Sequence, residues 1–245
     1  MARRATSGRI IVTNVVRVRL TRWPSAIQRG LCRQSRHATQ HEHSHLQQDH
    51  VMPAQLPEVV VFDTEFTAWR GSMARGWSGP GEHREIVQIG AVALAPRDLT
   101  EVRAFEVLIR PARNPTLSDY LVGLTRITNE RLSREGVDFA TGVGRFLEFA
   151  AGCPLHAFGR DDKVIAANAA LLGQPELWPG TPAFDLRDWL LTIGVPLTGI
   201  HSGALAAHVG STSQGIAHDA LVDARSLAEA VRYLVAKGAP NPFLL

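Results

Sequence analysis

The sequence predicts an α/β domain of five strands interleaved with helices, and three patterns carry that expectation. Val59-Val60-Val61-Phe62 is an uninterrupted apolar run, the mark of a strand buried on both faces. Glu85 to Leu94 alternates as a second strand. A turn at Arg97-Asp98 then leads to a third from Val102 to Ile109, so these strands read as a meander. Further on, Phe139, Val143, Phe146, Leu147 and Ala150 recur at the spacing of one helix face, between shorter apolar runs.

The first strand ends on Asp63-Thr64-Glu65-Phe66. Side chains alternate along a strand, so Asp63 and Glu65 share a face and Thr64 points the other way. Two carboxylates side by side at the end of a buried strand repel each other and lose hydration. A divalent cation between them offsets both costs, whereas a strand running out into a polar turn is the plain alternative. The loop that follows, to about Arg84, carries Phe66, Trp69 and Trp77 among Arg70, Arg75 and Arg84. Aromatic rings interleaved with arginine suit stacked bases and phosphates, and Phe66 and Trp69 are the candidate substrate contacts. Anchoring of the loop on the core is an equally good reading of each tryptophan taken singly.

Pro111 and Pro115 end the third strand, and Ser118 to Arg134 has the look of short helices with Thr128 or Asn129 as a cap. Pro154 to Phe158 predicts a fourth strand. The helix after it, ending near Leu172-Gly173, turns Val164, Ile165, Asn168, Leu171 and Leu172 inward. On that phase Asp161 falls on the inward face and Asp162 well round towards solvent; a plain capping role fits either. Ala183 to Leu186 is a short fifth strand running into a helix, and Ser202 to Val209 a helical turn or two. The last helix buries Leu221, Ala224, Leu227, Ala228, Val231 and Leu234. His218 and Asp223 are five apart and would not share a helical face. With Asp219 as the cap, His218 sits in the lead-in, Asp223 in the first turns, and both point into one cleft.

Charge divides the chain. Of 26 basic and 23 acidic residues, residues 1–51 hold nine arginines against Glu42 and Asp49, a balance of +7. The rest has 17 basic and 21 acidic residues, a balance of −4. The high pI therefore belongs to the leader and gives no argument that the domain binds nucleic acid. We place a basic, weakly patterned leader at 1–52 and the domain at 53–245. The leader reads as a start chosen too far upstream of Met52, ahead of an organelle transit segment. His41 and His45 within it have helical spacing, but histidine-rich tracts of this kind seldom bind a specific metal. Two cysteines, Cys32 and Cys153, make neither a disulfide framework nor a zinc site. No run of about 20 apolar residues suggests a membrane span. The expected location is the cytoplasm, with no membrane partner.

Asp63-x-Glu65, Asp161 and His218-x4-Asp223, in this order, resemble the DEDDh family of 3′→5′ exonucleases over about residues 57–237. Glu85-Ile-Val-Gln-Ile-Gly-Ala-Val92 and His218-x-Ala-Leu-x-Asp-Ala-Arg225 are most similar to the Eri1/KapD-like branch. One departure is that Phe158-Gly159 precedes adjacent aspartates where branch members often carry Trp-Gly-x-x-Asp; counting from the glycine selects Asp162, helix phase Asp161. We take Asp161. The resemblance implies a ribonuclease H-like mixed five-stranded sheet flanked by helices on both sides. It implies that Asp63, Glu65, Asp161 and Asp223 hold two Mg²⁺ or Mn²⁺ ions, and that His218 takes a proton from the attacking water. The substrates implied are 3′ ends of single-stranded RNA or DNA, with nucleoside 5′-monophosphates as products. His156 reads as a core residue, and His201 and His208 as peripheral. A non-catalytic binding protein on the same fold should lack a ligand or the histidine, and none is missing. A polymerase proofreading subunit should carry a longer partner-binding tail than the few residues after Lys237.

Overall fold

The computed structural model describes residues 57–178, 180–212 and 215–244; the leader and the first residues of the expected domain lie outside them. Three strands open the fold, β1 (Val59–Phe66), β2 (Ile86–Leu94) and β3 (Glu101–Leu108). Helices α1 (Asp119–Thr125), α2 (Asn129–Glu135) and α3 (Phe139–Ala150) follow. Ser118, Thr128 and Asp138 begin them, each side chain accepting a backbone N–H of the first turn. Next come β4 (Leu155–Ala157), α4 (Asp161–Leu171), β5 (Ala183–Asp185) and α5 (Leu186–Thr192). A short 3-10 turn (Ser202–Ala204), α6 (Leu205–His208) and α7 (Ala220–Ala236) complete it.

The strands lie in the order β3-β2-β1-β4-β5, the first two pairings antiparallel and the last two parallel. This is the mixed five-stranded sheet expected, and the alternation of β1 gives it two covered faces. Val60 and Phe62 meet Phe139, Val143 and Phe146 of α3 and Val164 and Ile165 of α4. Val59 and Val61 meet Leu190 of α5, Leu205 of α6 and Leu227 and Val231 of α7. A third cluster seats Leu121, Ile127 and Leu132 against Val87 and Leu108. Among the described residues no helix is long and apolar enough to cross a membrane.

Two features make a crevice at one end of the sheet. β1 pairs with β4 only around Val60 and Val61, but with β2 as far as Phe66. Residues 63–66 therefore project beyond the end of β4, just where the chain leaves β4 to start α4. β1 is also the strand at which antiparallel pairing gives way to parallel, the place where an open α/β sheet leaves room for ligands. On the far side, Gly90 lets α7 lie directly on β2: a Cβ there would stand 2.1 Å from the backbone nitrogen of Leu221.

Candidate active site

Asp63 and Glu65 sit side by side at the end of β1, 7% and 9% exposed, on the face that α7 covers. A register slip against β2 between Glu65 and Phe66 ends the regular pairing just beyond them. Thr64, on the opposite face, meets the start of α4, and its hydroxyl donates to Asp161 Oδ1. The third acid thus reaches the strand end from the other side of the sheet. Asp162 does not face solvent as helix phase had suggested. It is 3% exposed and gripped by Arg160, with Nε to Oδ1 at 2.9 Å and Nη2 to Oδ2 at 2.8 Å. Arg160, the residue before the helix, turns back to pair with that carboxylate, a contact an ideal helical wheel does not register. Neither aspartate is the cap, a position Arg160 occupies.

The start of α7 has the arrangement read from the sequence. Asp219 caps it, accepting from the N–H groups of Leu221 and Val222, and Asp223 lies in the first turn, 2% exposed. His218 stands ahead of the helix at φ 68° and donates its N–H to both oxygens of Asp223 at 3.2 and 3.3 Å. Its Nδ1 lies 4.0 Å from Glu65 Oε1. Glu65, His218 and Asp223 each offer a ligating atom within 4.8 Å of the others. Asp63 and Asp161 are outside that trio, but Asp161 acts electrostatically on Glu65, and Glu65 and Asp223 act on Asp63.

Burial raises the proton affinity of all four carboxyls, and repulsion from other site carboxylates adds to it at Asp63 and Glu65. Burial first, then the charges of Asp161, Glu65 and Asp223, raise Asp63 well above the carboxylate range. Burial, reinforced by Asp223, Asp161 and Asp219, pushes Glu65 up to about 8. Asp161 and Asp223 are raised to about 6, again chiefly by burial. Asp162 differs: burial acts to raise it, but the Arg160 guanidinium holds it below the usual range. His218 is lowered by burial, by His201 and by Arg126. Among the described residues no lysine or arginine pairs with Asp63, Glu65, Asp161 or Asp223; the ion pairs nearby are Arg160–Asp162 and Arg187–Asp185. Four converging carboxylates without a basic partner fit hard divalent cations.

Several site residues escaped the sequence reading. Thr64 tethers Asp161. Ser202 Oγ donates to Asp223 Oδ2 at 3.4 Å, and its hydroxyl also acts to lower the proton affinity of Asp63. Gly203 is there because a Cβ would stand 2.3 Å from Asp223 Oδ1. His201, read as peripheral, is exposed but stacks on His218 with ring centroids 4.9 Å apart, because the turn that follows it packs against α7. His156 is in the core as expected, between Phe184 and Phe243, though its Nδ1 has no partner among the described residues. His208, on the surface, lies 2.7 Å from the Pro196 carbonyl. Phe66 is half-buried with its ring 5.5 Å from Trp77, whose indole N–H bonds the Thr67 carbonyl at 2.9 Å. Trp69, also half-buried, begins the loop at the same strand end.

The family model described as Exonuclease (RNase_T) matches residues 60–231. Among solved structures, the nuclease domain of 3′hExo, "a DEDDh family member, bound to rAMP", is similar at TM-score 0.64 and 20% identity over 74% of this chain and 93% of that one. Cell-death related nuclease 4 (CRN-4) is similar at TM-score 0.59 and 18% identity, covering 76% of this chain and 66% of that one. E. coli ExoI, in a zinc-bound complex with single-stranded DNA, gives TM-score 0.57 and 16% identity over 75% and 41%. At these identities the likeness is one of fold. No curated protein matches the chain.

Proposed function

Because this chain belongs to the Exonuclease family, we propose that it is a metal-dependent 3′→5′ exonuclease of the DEDDh type, releasing nucleoside 5′-monophosphates from single-stranded nucleic acid. The observation that carries this reading is the meeting of Asp63, Glu65, Asp161, Asp223 and His218 at one sheet end, with all four carboxyls raised by burial. Asp63, Glu65, Asp161 and Asp223 would hold two Mg²⁺ or Mn²⁺ ions. Such ions, when bound, supply Lewis-acid activation of water and charge stabilisation at the leaving 3′ oxygen.

The chain's own groups do the rest. His218, its proton affinity lowered by burial, His201 and Arg126, is placed to accept the proton of the attacking water. Asp223 fixes the backbone beneath it. Thr64 orients Asp161, and Ser202 orients Asp223. Phe66 and Trp69, partly exposed at the same strand end, offer faces on which terminal bases stack. Arg84, 5.1 Å over the Trp77 ring, adds a cation for the backbone phosphates.

The test is the full chain with 5′-labelled single-stranded RNA and DNA of equal length and Mn²⁺ or Mg²⁺. A ladder shortening from the 3′ end, abolished by EDTA and by Asp63→Ala, is the expected result, and the relative rates choose the sugar. Binding without cleavage of either strand overturns the assignment in favour of a non-catalytic nucleic-acid binder.

A further inference from the structure

Gln88 is fully buried on β2 and lies directly across from Glu65 in the β1–β2 register. Its side-chain oxygen accepts the N–H of Ala220 at 3.0 Å. Its amide nitrogen donates to Glu106 Oε1 at 3.0 Å and faces Asp219 Oδ2 at 3.4 Å. Asp219 Oδ1 in turn takes the N–H groups of Leu221 and Val222 at 3.1 and 3.2 Å. The first three N–H groups of α7, which a helix cannot satisfy by itself, are thus all accounted for by Gln88 and the cap it braces. Glu106 is anchored from outside by Arg131 of α2 at 3.1 Å.

Immediately before this clamp stands His218 in the left-handed region, φ 68°. A histidine holds that conformation only where its surroundings over-determine it. Asp223 fixes the N–H on one side of the residue; on the other, the backbone is fixed at Asp219 and Ala220, the two residues Gln88 grips. Gly90, two positions along the same strand face, brings α7 close enough for the grip to form.

We propose that Gln88 is a positioning residue for the hydrolytic reaction, acting through His218: by clamping the start of α7 it holds the imidazole against Glu65. The inference rests on His218 being the proton acceptor. Only an amide suits the place. Its oxygen must face an N–H and its nitrogen two carboxylates, so glutamate would set a third acid against Glu106 and Asp219, and leucine would orphan the Ala220 N–H.

The experiment is a double-mutant cycle on the full chain, measuring kcat and KM on 5′-labelled single-stranded RNA with Mn²⁺, slow variants being followed for hours with enzyme in excess. Gln88→Ala is expected to lower kcat about 10- to 100-fold with KM within about two-fold, as loss of an orienting partner does. In the His218→Ala background the same change should cost less than about three-fold, because the group being positioned is gone. Gln88→Glu should not rescue. Should Gln88→Ala fold poorly, Glu106→Ala loosens the other end of the clamp and should show the same dependence on His218. Equal losses in both backgrounds, or a rise in KM alone, overturn the positioning role. Wild-type activity of His218→Ala by itself overturns the underlying assignment of His218 instead.

Discussion

At the scale of single residues the site is a set of charges that the fold brings together against their own interest. Glu65 is raised from its ordinary 4.5 to about 8, and Asp161 and Asp223 from 3.8 to about 6. Groups raised on folding contribute stability that is fully present below their unfolded values and lost as pH rises through the folded ones. The metal-free protein should therefore lose stability between about pH 4 and 8 on account of these three groups. Glu65→Gln removes the penalty of the carboxyl raised to about 8. In EDTA at pH 8 it should raise the Tm by several degrees, at about 2–4 °C per kcal/mol for a domain of this size, while abolishing cleavage. Scanning calorimetry with and without Mn²⁺ checks this: saturating metal should stabilise the parent strongly and the variant weakly. The adjacent aspartates make a second test. Asp161→Asn should cost roughly 100-fold or more in rate at unchanged or higher stability. Asp162→Asn should leave the rate within about three-fold and cost about 1 kcal/mol, since it breaks only the half-exposed pair with Arg160. The reverse pattern would move the third acid to Asp162.

At the scale of elements, β2 against α7 is the contact on which the site depends. Gly90→Ala would place a Cβ 2.1 Å from Leu221 N and 2.3 Å from the Ala220 carbonyl carbon, backbone atoms that cannot swing aside. A cost of roughly 3 kcal/mol or more is expected by urea unfolding, together with loss of activity. Gly144→Ala, on the exposed side of α3 with nothing within 4 Å, should instead gain about 0.5–1 kcal/mol. Periodicity alone disclosed most of this level. The bounds of α3, the burial of β1 and the capping of α7 by Asp219 are all local patterns; the phase of α4 was read correctly at Val164, Ile165 and Asn168 but not at Asp162. What periodicity could not disclose is set by contacts between distant segments. Thr64 meets Asp161 only because α4 begins where β1 outruns β4, Asp162 is buried in an ion pair with Arg160 that a helical wheel does not register, and His201 reaches His218 only through the packing of its turn on α7. Gln88 and Gly90 stood in plain view within a motif. Their reason, a helix lying on the strand, needed the third dimension.

At the scale of the whole molecule the chemistry and the charge are separable. Every group assigned to catalysis lies between Asp63 and Asp223, in a part of the chain with a balance of −4, while residues 1–51 carry +7. A nuclease whose own domain is acidic gains little long-range attraction for a polyanion; metal ions serve it only at close range. The nine leader arginines, set against only two acids, supply the chain's net positive charge for that attraction. Deleting residues 1–51 should therefore leave kcat at saturating substrate within about two-fold and weaken binding most at low salt. For single strands, log K falls with log salt at about −0.7 per phosphate neutralised, so full engagement of the nine arginines would steepen the slope by roughly 6 units; the deletion should remove whatever part of that the leader supplies. Filter binding of an inactive Asp63→Ala pair, full-length and shortened, across a salt series reads it directly. Identical slopes would confine nucleic-acid binding to the domain, with Arg70, Arg84 and Arg126 then the cations to mutate. A fall in kcat itself would show that the leader takes part in the chemistry and that the two are not separable.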